Sequence, residues 1–321
     1  MDSILSPIKK VLPLMTNVLI DEESIYKFSI NIDKSYLLKS EYNKDTLLGE
    51  NYGEEEYIAF VFVYNSLNFS YWGNPKWTIN IQGNNYDGSA AMIRVVKRAL
   101  TEGYNILNSK FLINLTKKQL SEIFRGNIEI PLLNERLKLL NILGELIENE
   151  YQGSFKKFID DAKWDAELIV EKLSKELPDI FNDTNVYKQQ NINFYKRAQL
   201  IPAHLYDLYK LNIIKSSIYN IDKLTAFADY KVPQLMRDLD ILKYSADLSY
   251  KIDNLIEIPA GSNDEVEIRI ATIWAIELCK RQIKKYIPQV TSTQVHGVFW
   301  FSGQKTNIEI KPYHRTRTIW Y

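Results

Sequence analysis

The stretch Thr225-Ala226-Phe227-Ala228-Asp229-Tyr230-Lys231-Val232-Pro233-Gln234 sets one carboxylate between two aromatic rings, a few residues ahead of a helix. Pro233 suits the first turn of that helix, where a missing N–H costs nothing. Leu235, Met236 and Leu239 follow at helical spacing. Val232 precedes a proline and is expected to be extended. Asp229 is therefore expected on a short extended entry to the helix, with Phe227 and Tyr230 beside it. A carboxylate in that position either caps the helix, as aspartate commonly does, or does chemistry.

Other reactive side chains form no pattern of their own. His204, His296 and His314 are far apart and lack the spacing of a metal-binding helix, so no metal is expected. The sequence has no Walker A loop, no GxGxxG and no GxSxG. Cys279 lies in an apolar helical pattern, which fits an inert core thiol better than a nucleophile. Two basic clusters remain. Lys196-Arg197 follows Phe194 and Tyr195 at a helix start, and Arg315 and Arg317 flank Thr316 beside His314. Such residues commonly snorkel or pair at a surface. They also suit a phosphate clamp, for which Lys196, Arg197 and Arg315 are the candidates by charge. Phe69, Tyr71, Trp72, Phe227, Tyr230, Phe299, Trp300 and Phe301 supply core, or stacking faces for a planar base.

The elements that must position these residues read as mostly helical. A first helix is expected from Ile8 to Leu19, followed by polar strands or loop from about Asp21 to Tyr57. Glu55 to Leu67 is apolar on every side and should be a buried helix. Gly73, Asn74 and Pro75 impose a turn. Trp77 to Ile81 alternates as a strand, Gly83 to Gly88 reads as a turn, and Ser89 can cap a helix ending near Gly103. Beyond it the pattern is helical: Thr116 to Phe124, a run marked by Leu133, Leu137, Leu140 and Ile147, and one long helix from Phe155 stopped near Pro178. Further helices are expected from about Phe194 towards Leu211, after Asp229, and across Ile270 to Leu278. Gly297 and Gly303 signal turns near the end. With no repeat, low-complexity tract or linker, residues 1–321 read as one mainly α domain with a small β element near the N-terminus.

Composition narrows the classes of function. The 321 residues are 45% hydrophobic, enough for a large core. Lys and Arg total 40, as do Asp and Glu, so the chain is no polycation, and a stable nucleic-acid complex is not expected. One cysteine forms no intrachain disulfide and fits a reducing, cytoplasmic compartment. Pro7, Lys9, Lys10 and Pro13 interrupt the N-terminal apolar residues, and no apolar run reaches bilayer length, so neither a signal peptide nor a membrane partner is expected.

Six blocks in order resemble one family. They are Leu67-Asn68-Phe69-Ser70-Tyr71-Trp72, Ile130-Pro131-Leu132-Leu133-Asn134-Glu135-Arg136, Phe194-Tyr195-Lys196-Arg197-Ala198-Gln199, Phe227-Ala228-Asp229-Tyr230-Lys231-Val232-Pro233-Gln234, Glu265-Val266-Glu267-Ile268-Arg269 and Pro312-Tyr313-His314-Arg315. Together they look like the queuosine salvage family of queuosine 5′-phosphate N-glycosidases, from about residue 55 to the end. The resemblance implies a mostly helical fold akin to DNA glycosylases. It implies hydrolysis of the N-glycosidic bond of a 7-deazaguanine nucleoside 5′-monophosphate, releasing queuine, without a cofactor. Asp229 matches the family's catalytic carboxylate, and Phe227 matches the phenylalanine that contacts the base.

One stretch departs from the family pattern. Where the family presents an acid, a tryptophan four residues later and often a second acid, this chain has His296, Trp300 and Phe301. The family's pocket histidine has no counterpart between Asp33 and Tyr57. The base-end candidates are thus Phe227, Tyr230, His296, Trp300 and Phe301, and another purine or deazapurine nucleotide stays open as substrate. Two further readings stay open beside a glycosidase acting on a free nucleotide: a nucleic-acid glycosylase or binder, which would need a basic stripe and base flipping, and a binding module that has lost the reaction.

Overall fold

Every residue from Tyr57 to Leu67 is buried in the helix Glu54–Leu67 of the computed structural model, which describes residues 2–40, 42–304 and 310–321. A helix apolar on all sides needs neighbours on all sides. Gly88–Thr101, Leu133–Tyr151, Phe155–Asp161 and Lys196–Lys210 supply them. A second long helix, Asn263–Ile283, is covered in the same way by Asp2–Val11, Glu22–Ile30, Lys231–Asp238 and Ser292–Ser302. The buried apolar residues accordingly form two clusters, one around each long helix, and Tyr195 packs against both.

The fold is mainly α. Among the described residues, strands are confined to three two-stranded antiparallel sheets: Val18–Ile20 with Leu242–Tyr244, Thr78–Ile81 with Asn84–Asp87, and Thr184–Tyr187 with Gln190–Asn193. Among those residues no helix is long and apolar enough to cross a membrane.

Two buried arginines spend donors on backbone carbonyls rather than on solvent, and a third divides its donors between a carbonyl and carboxylates. Arg136 donates to the carbonyls of Pro131, Leu67 and Phe69. Arg197 donates to those of Asn65, Ser66 and Ile180. Arg269 donates to that of Ala228 at 3.2 Å while its fork holds the Asp183 carboxylate. Glu267 works in the opposite sense, accepting the backbone N–H groups of Thr16, Asn17 and Val18 and the Tyr187 hydroxyl. Irregular backbone inside a core must be satisfied somehow, and a long side chain with several donors does it in one step.

Several sequence expectations are corrected. The first helix runs from Asp2 to Val11 and tightens into a 3-10 turn at Leu12–Leu14, because Pro13 has no N–H to continue the ladder. The polar stretch after Asp21 is helical at Glu22–Ile30, where the Asp21 side chain caps Ser24, and turns as a 3-10 helix at Lys34–Leu38. The turn expected over Gly83 to Gly88 is mostly the strand Asn84–Asp87. Ser89 is not the cap; its helix starts at Gly88, with Asp87 in the capping position. The single helix after Phe155 is two, Phe155–Asp161 and Ala166–Glu176, separated where Lys163 and Trp164 take φ of 55° and 56°. Gly297 lies inside the helix Ser292–Ser302, and Gly303 caps its end. The short helix after Thr116 and the buried helix after Gly53 are as expected.

Candidate active site

The chain from Leu224 to Asp229 has no regular structure and is buried as far as Ala228. It delivers Asp229 to the wall of a cavity of about 960 Å³. That is a size suited to a nucleotide-scale ligand. One oxygen, Oδ1, accepts the backbone N–H groups of Lys231 and Val232, each at 2.9 Å. This cap draws Val232 into the helix Lys231–Asp238, contrary to the extended conformation expected of a residue before proline. Among the described residues, Oδ2 takes no hydrogen bond. Asp229 thus caps a helix with one oxygen and is itself part of the cavity wall.

The same cavity gathers Phe227, Tyr230, His296, Trp300, Phe301 and Lys196 from the sequence candidates. The His296 ring meets Phe227 edge-on at 4.8 Å between centroids, and Trp300 meets Phe301 edge-on at 5.0 Å. Tyr36 stacks on Phe301 at 6.4 Å, with the Lys39 ammonium 4.1 Å from the Tyr36 ring centre. On another side, Tyr230 and Tyr313 lie 4.9 Å apart, with Lys231 over Tyr313. Gly88, at φ 56°, turns the chain so that the first residues of the helix Gly88–Thr101 join the wall beside Lys76. The uncapped N–H groups of that first turn add to the positive potential of the lysines.

Two candidates fall elsewhere. Arg197 is buried next to Lys196 but points into the core, onto the three carbonyls named above, and does not line the cavity. Consecutive residues on a helix project about 100° apart, and here that offset turns Arg197 onto the carbonyls of Asn65, Ser66 and Ile180. Arg315 also stays off the wall; its backbone carbonyl accepts from Ile258 and its guanidinium sits 6.0 Å from the Trp72 ring. Lys196 remains, only 6% exposed, with Nζ 3.4 Å from the Asn68 carbonyl oxygen. Lys76, Lys231, Tyr36, Lys39 and Tyr313 were not singled out from sequence as site residues. Tyr36 and Lys39 come from a polar stretch without a period. Lys231 stood in the opening stretch, its charge next to Asp229 being the one available signal.

Electrostatics separate the groups. Burial pushes the Tyr230 phenol well above its ordinary range and lowers the Lys231 ammonium, with Lys76 adding to the latter. Burial also lowers His296 to about 4, opposed by Asp229 and assisted by Lys196. Near neutral pH, His296 is therefore an uncharged imidazole that exchanges hydrogen bonds and carries no acidic proton. Among the described residues no cluster of three or more His, Cys, Asp or Glu side chains could hold a metal ion.

His204 and His314 are lowered by burial to about 3, alongside His296. Unfolded histidines titrate near 6.5, so below that pH the unfolded chain binds protons that the folded one refuses. Stability from this source is complete above pH 6.5 and is lost as pH falls towards about 3. Urea melts between pH 7.5 and 5 should show a falling midpoint, with unfolding taking up about three extra protons near pH 5. A midpoint flat across that window would mean that the buried rings are already protonated in the fold.

A family model described as queuosine salvage protein matches residues 49–321. The queuosine 5′-phosphate N-glycosylase/hydrolase of Sphaerobacter thermophilus is 37% identical over 269 residues, covering 84% of this chain and 83% of that protein. The protein of the same description from Nematostella vectensis is 33% identical over 285 residues, covering 82% of each. That of Mus musculus is 28% identical over 282 residues, covering 84% and 83%.

Proposed function

The chain belongs to the queuosine salvage protein family and is an N-glycosidase, and from that premise we propose that it acts on queuosine 5′-phosphate or a close 7-deazapurine nucleotide, releasing the free base. The observation that carries the mechanism is the divided carboxylate of Asp229. Two backbone N–H groups hold one oxygen, so the group is fixed without help from a mobile side chain. The other oxygen is then available beside C1′. Breaking the C–N bond leaves positive charge on the ribose, and a fixed anion in a partly dry cavity stabilises that state more than the neutral substrate. Water supplies oxygen to C1′ and a proton to the departing base, so the products are ribose 5-phosphate and the base.

Phe227, His296, Trp300 and Phe301 form the proposed base end, where flat rings can stack and the neutral imidazole can read a polar edge. Lys196 forms the proposed phosphate end; Lys231, and Lys76 paired with Asp87, contribute field. Binding the remote phosphate aligns the ribose against Asp229. The wall draws on residues from Tyr36 to Tyr321, which supports reading residues 1–321 as one catalytic domain. Balanced charge supports a free nucleotide over a nucleic-acid polymer, and the single cysteine supports a reducing, cytoplasmic setting.

The test is mass spectrometry of bases released from a panel of nucleoside 5′-monophosphates. Queuosine 5′-phosphate should yield queuine, and failure to cleave any 7-deazapurine nucleotide would refute the reading. A second reading has one observation behind it. Neither His296 nor Phe301 carries a negative charge, which supports a base without a cationic arm. A faster reaction of an unsubstituted purine or deazapurine nucleotide in the same panel would favour it.

A further inference from the structure

Asp229 and Lys196 stand on different halves of the core. The helix Lys196–Lys210 contributes Ala198, Ile201, Leu205 and Leu208 to the first apolar cluster. Asp229 follows Ala226 and Ala228, which belong to the second. Two buried polar ties cross between them. Gln199, one turn after Lys196, accepts the Thr225 backbone N–H at 2.8 Å and the Thr225 hydroxyl at 3.1 Å, and is itself oriented by the Phe194 carbonyl at 3.0 Å. Asp183 forms the second tie. Its side chain lies 3.4 Å from the Lys196 backbone nitrogen, and its carbonyl accepts the N–H groups of Phe194 and Tyr195. Its carboxylate receives the Arg269 fork, and Arg269 Nε reaches the Ala228 carbonyl, one residue before Asp229.

Arg269 has little freedom within this arrangement. It is 2% exposed, Phe194 lies 3.8 Å from it and Tyr321 4.5 Å, and Glu265 lies 3.4 Å away on its own helix. Each of its three nitrogens is directed, so the guanidinium transmits position rather than merely neutralising charge.

We infer that Arg269, Asp183 and Gln199 are positioning residues that gauge the separation between Asp229 and Lys196, and so match the site to a ribose carrying a 5′-phosphate. The inference rests on the proposed glycosidase reading, with Lys196 at the phosphate. Phe227, His296 and Trp300 lie on the Asp229 side of the gauge. A nucleoside without phosphate is aligned by that side alone. A nucleotide is held from both ends, and a small change in their spacing misplaces C1′.

Arg269→Lys keeps the charge beside Asp183 and loses the simultaneous reach to Ala228. It should lower kcat/KM for the nucleoside 5′-monophosphate about 100-fold, the scale of a 1 Å misplacement. It should lower kcat/KM for the matching nucleoside at least about tenfold less. In a Lys196→Met background the same substitution should add little, because one end of the gauge is gone. Gln199→Met, read in the same way, carries the test if Arg269→Lys does not fold. Equal losses on both substrates, or none, would overturn the inference and leave the reaction assignment standing. Wild-type protein that frees base from neither substrate would overturn both.

Discussion

Asp229→Asn should lower kcat for base release at least about 10³-fold while leaving the thermal midpoint within about 1 °C of wild type. The two oxygens of Asp229 have separate proposed duties. The asparagine carbonyl oxygen can still accept the Lys231 and Val232 N–H groups that Oδ1 accepts now. The cap therefore survives. What disappears is the negative charge facing the cavity, and with it the stabilisation of a cationic ribose. Removing a single neutral hydrogen-bond donor from a comparable catalytic site costs about 10²–10³-fold, and a full charge should cost no less. Asp229→Ala is the informative partner. It removes the cap as well, for about 1 kcal/mol, and should lower the midpoint by about 1–2 °C. Activity and melting measured on both variants separate the two duties. An asparagine variant with more than a tenth of wild-type activity would refute the catalytic assignment.

The part of the candidate site legible from local pattern alone was the stretch around Asp229; Lys196 was a candidate by charge and His296, Trp300 and Phe301 by the family resemblance. Phe227, Asp229 and Tyr230 lie within four residues, and a helix signal after them fixed their setting. The buried helix Glu54–Leu67 was legible because no polar face interrupts it. What escaped were features whose cause lies elsewhere in the chain. The Thr184–Asn193 hairpin turns at Lys188 and Gln189, with φ of 47° and 63°, where glycine or asparagine would be the usual signal. Lys163 and Trp164 break a helix in the same disguised way; Asp165 then caps the next helix, and the Trp164 indole bonds Asp160. The pairing of Val18–Ile20 with Leu242–Tyr244 is too short and too distant for any local pattern to announce. The blocks that carried the family resemblance have a structural explanation. Arg136, Arg197, Glu267 and Arg269 each satisfy backbone in another segment, so these residues hold the frame around the cavity without entering it.

Neighbouring residues give the sharpest contrast. Lys196→Met should lower kcat/KM for the nucleotide about 10–100-fold, the worth of a charge-assisted hydrogen bond, with the midpoint changed by no more than about 1–2 °C. Methionine fills the space of the lysine stem, and the loss falls on the proposed phosphate contact. Arg197→Met should do the reverse. Burial lowers Arg197 to about 9, which still leaves it charged at neutral pH. Its guanidinium is committed to the carbonyls of Asn65, Ser66 and Ile180. Methionine leaves those acceptors buried and unpaired, for about 3 kcal/mol in total, and the midpoint should fall by about 5 °C. Kinetics of the folded fraction should change far less than for Lys196→Met. If Arg197→Met instead weakened nucleotide binding at unchanged stability, the guanidinium would have to leave the core when substrate binds. Three carbonyls would then lose their donors at that moment, and substrate affinity would have to outweigh the loss. The packing argues against it: Arg197 is turned about 100° from Lys196, and the acceptors on that side explain why an arginine stands there.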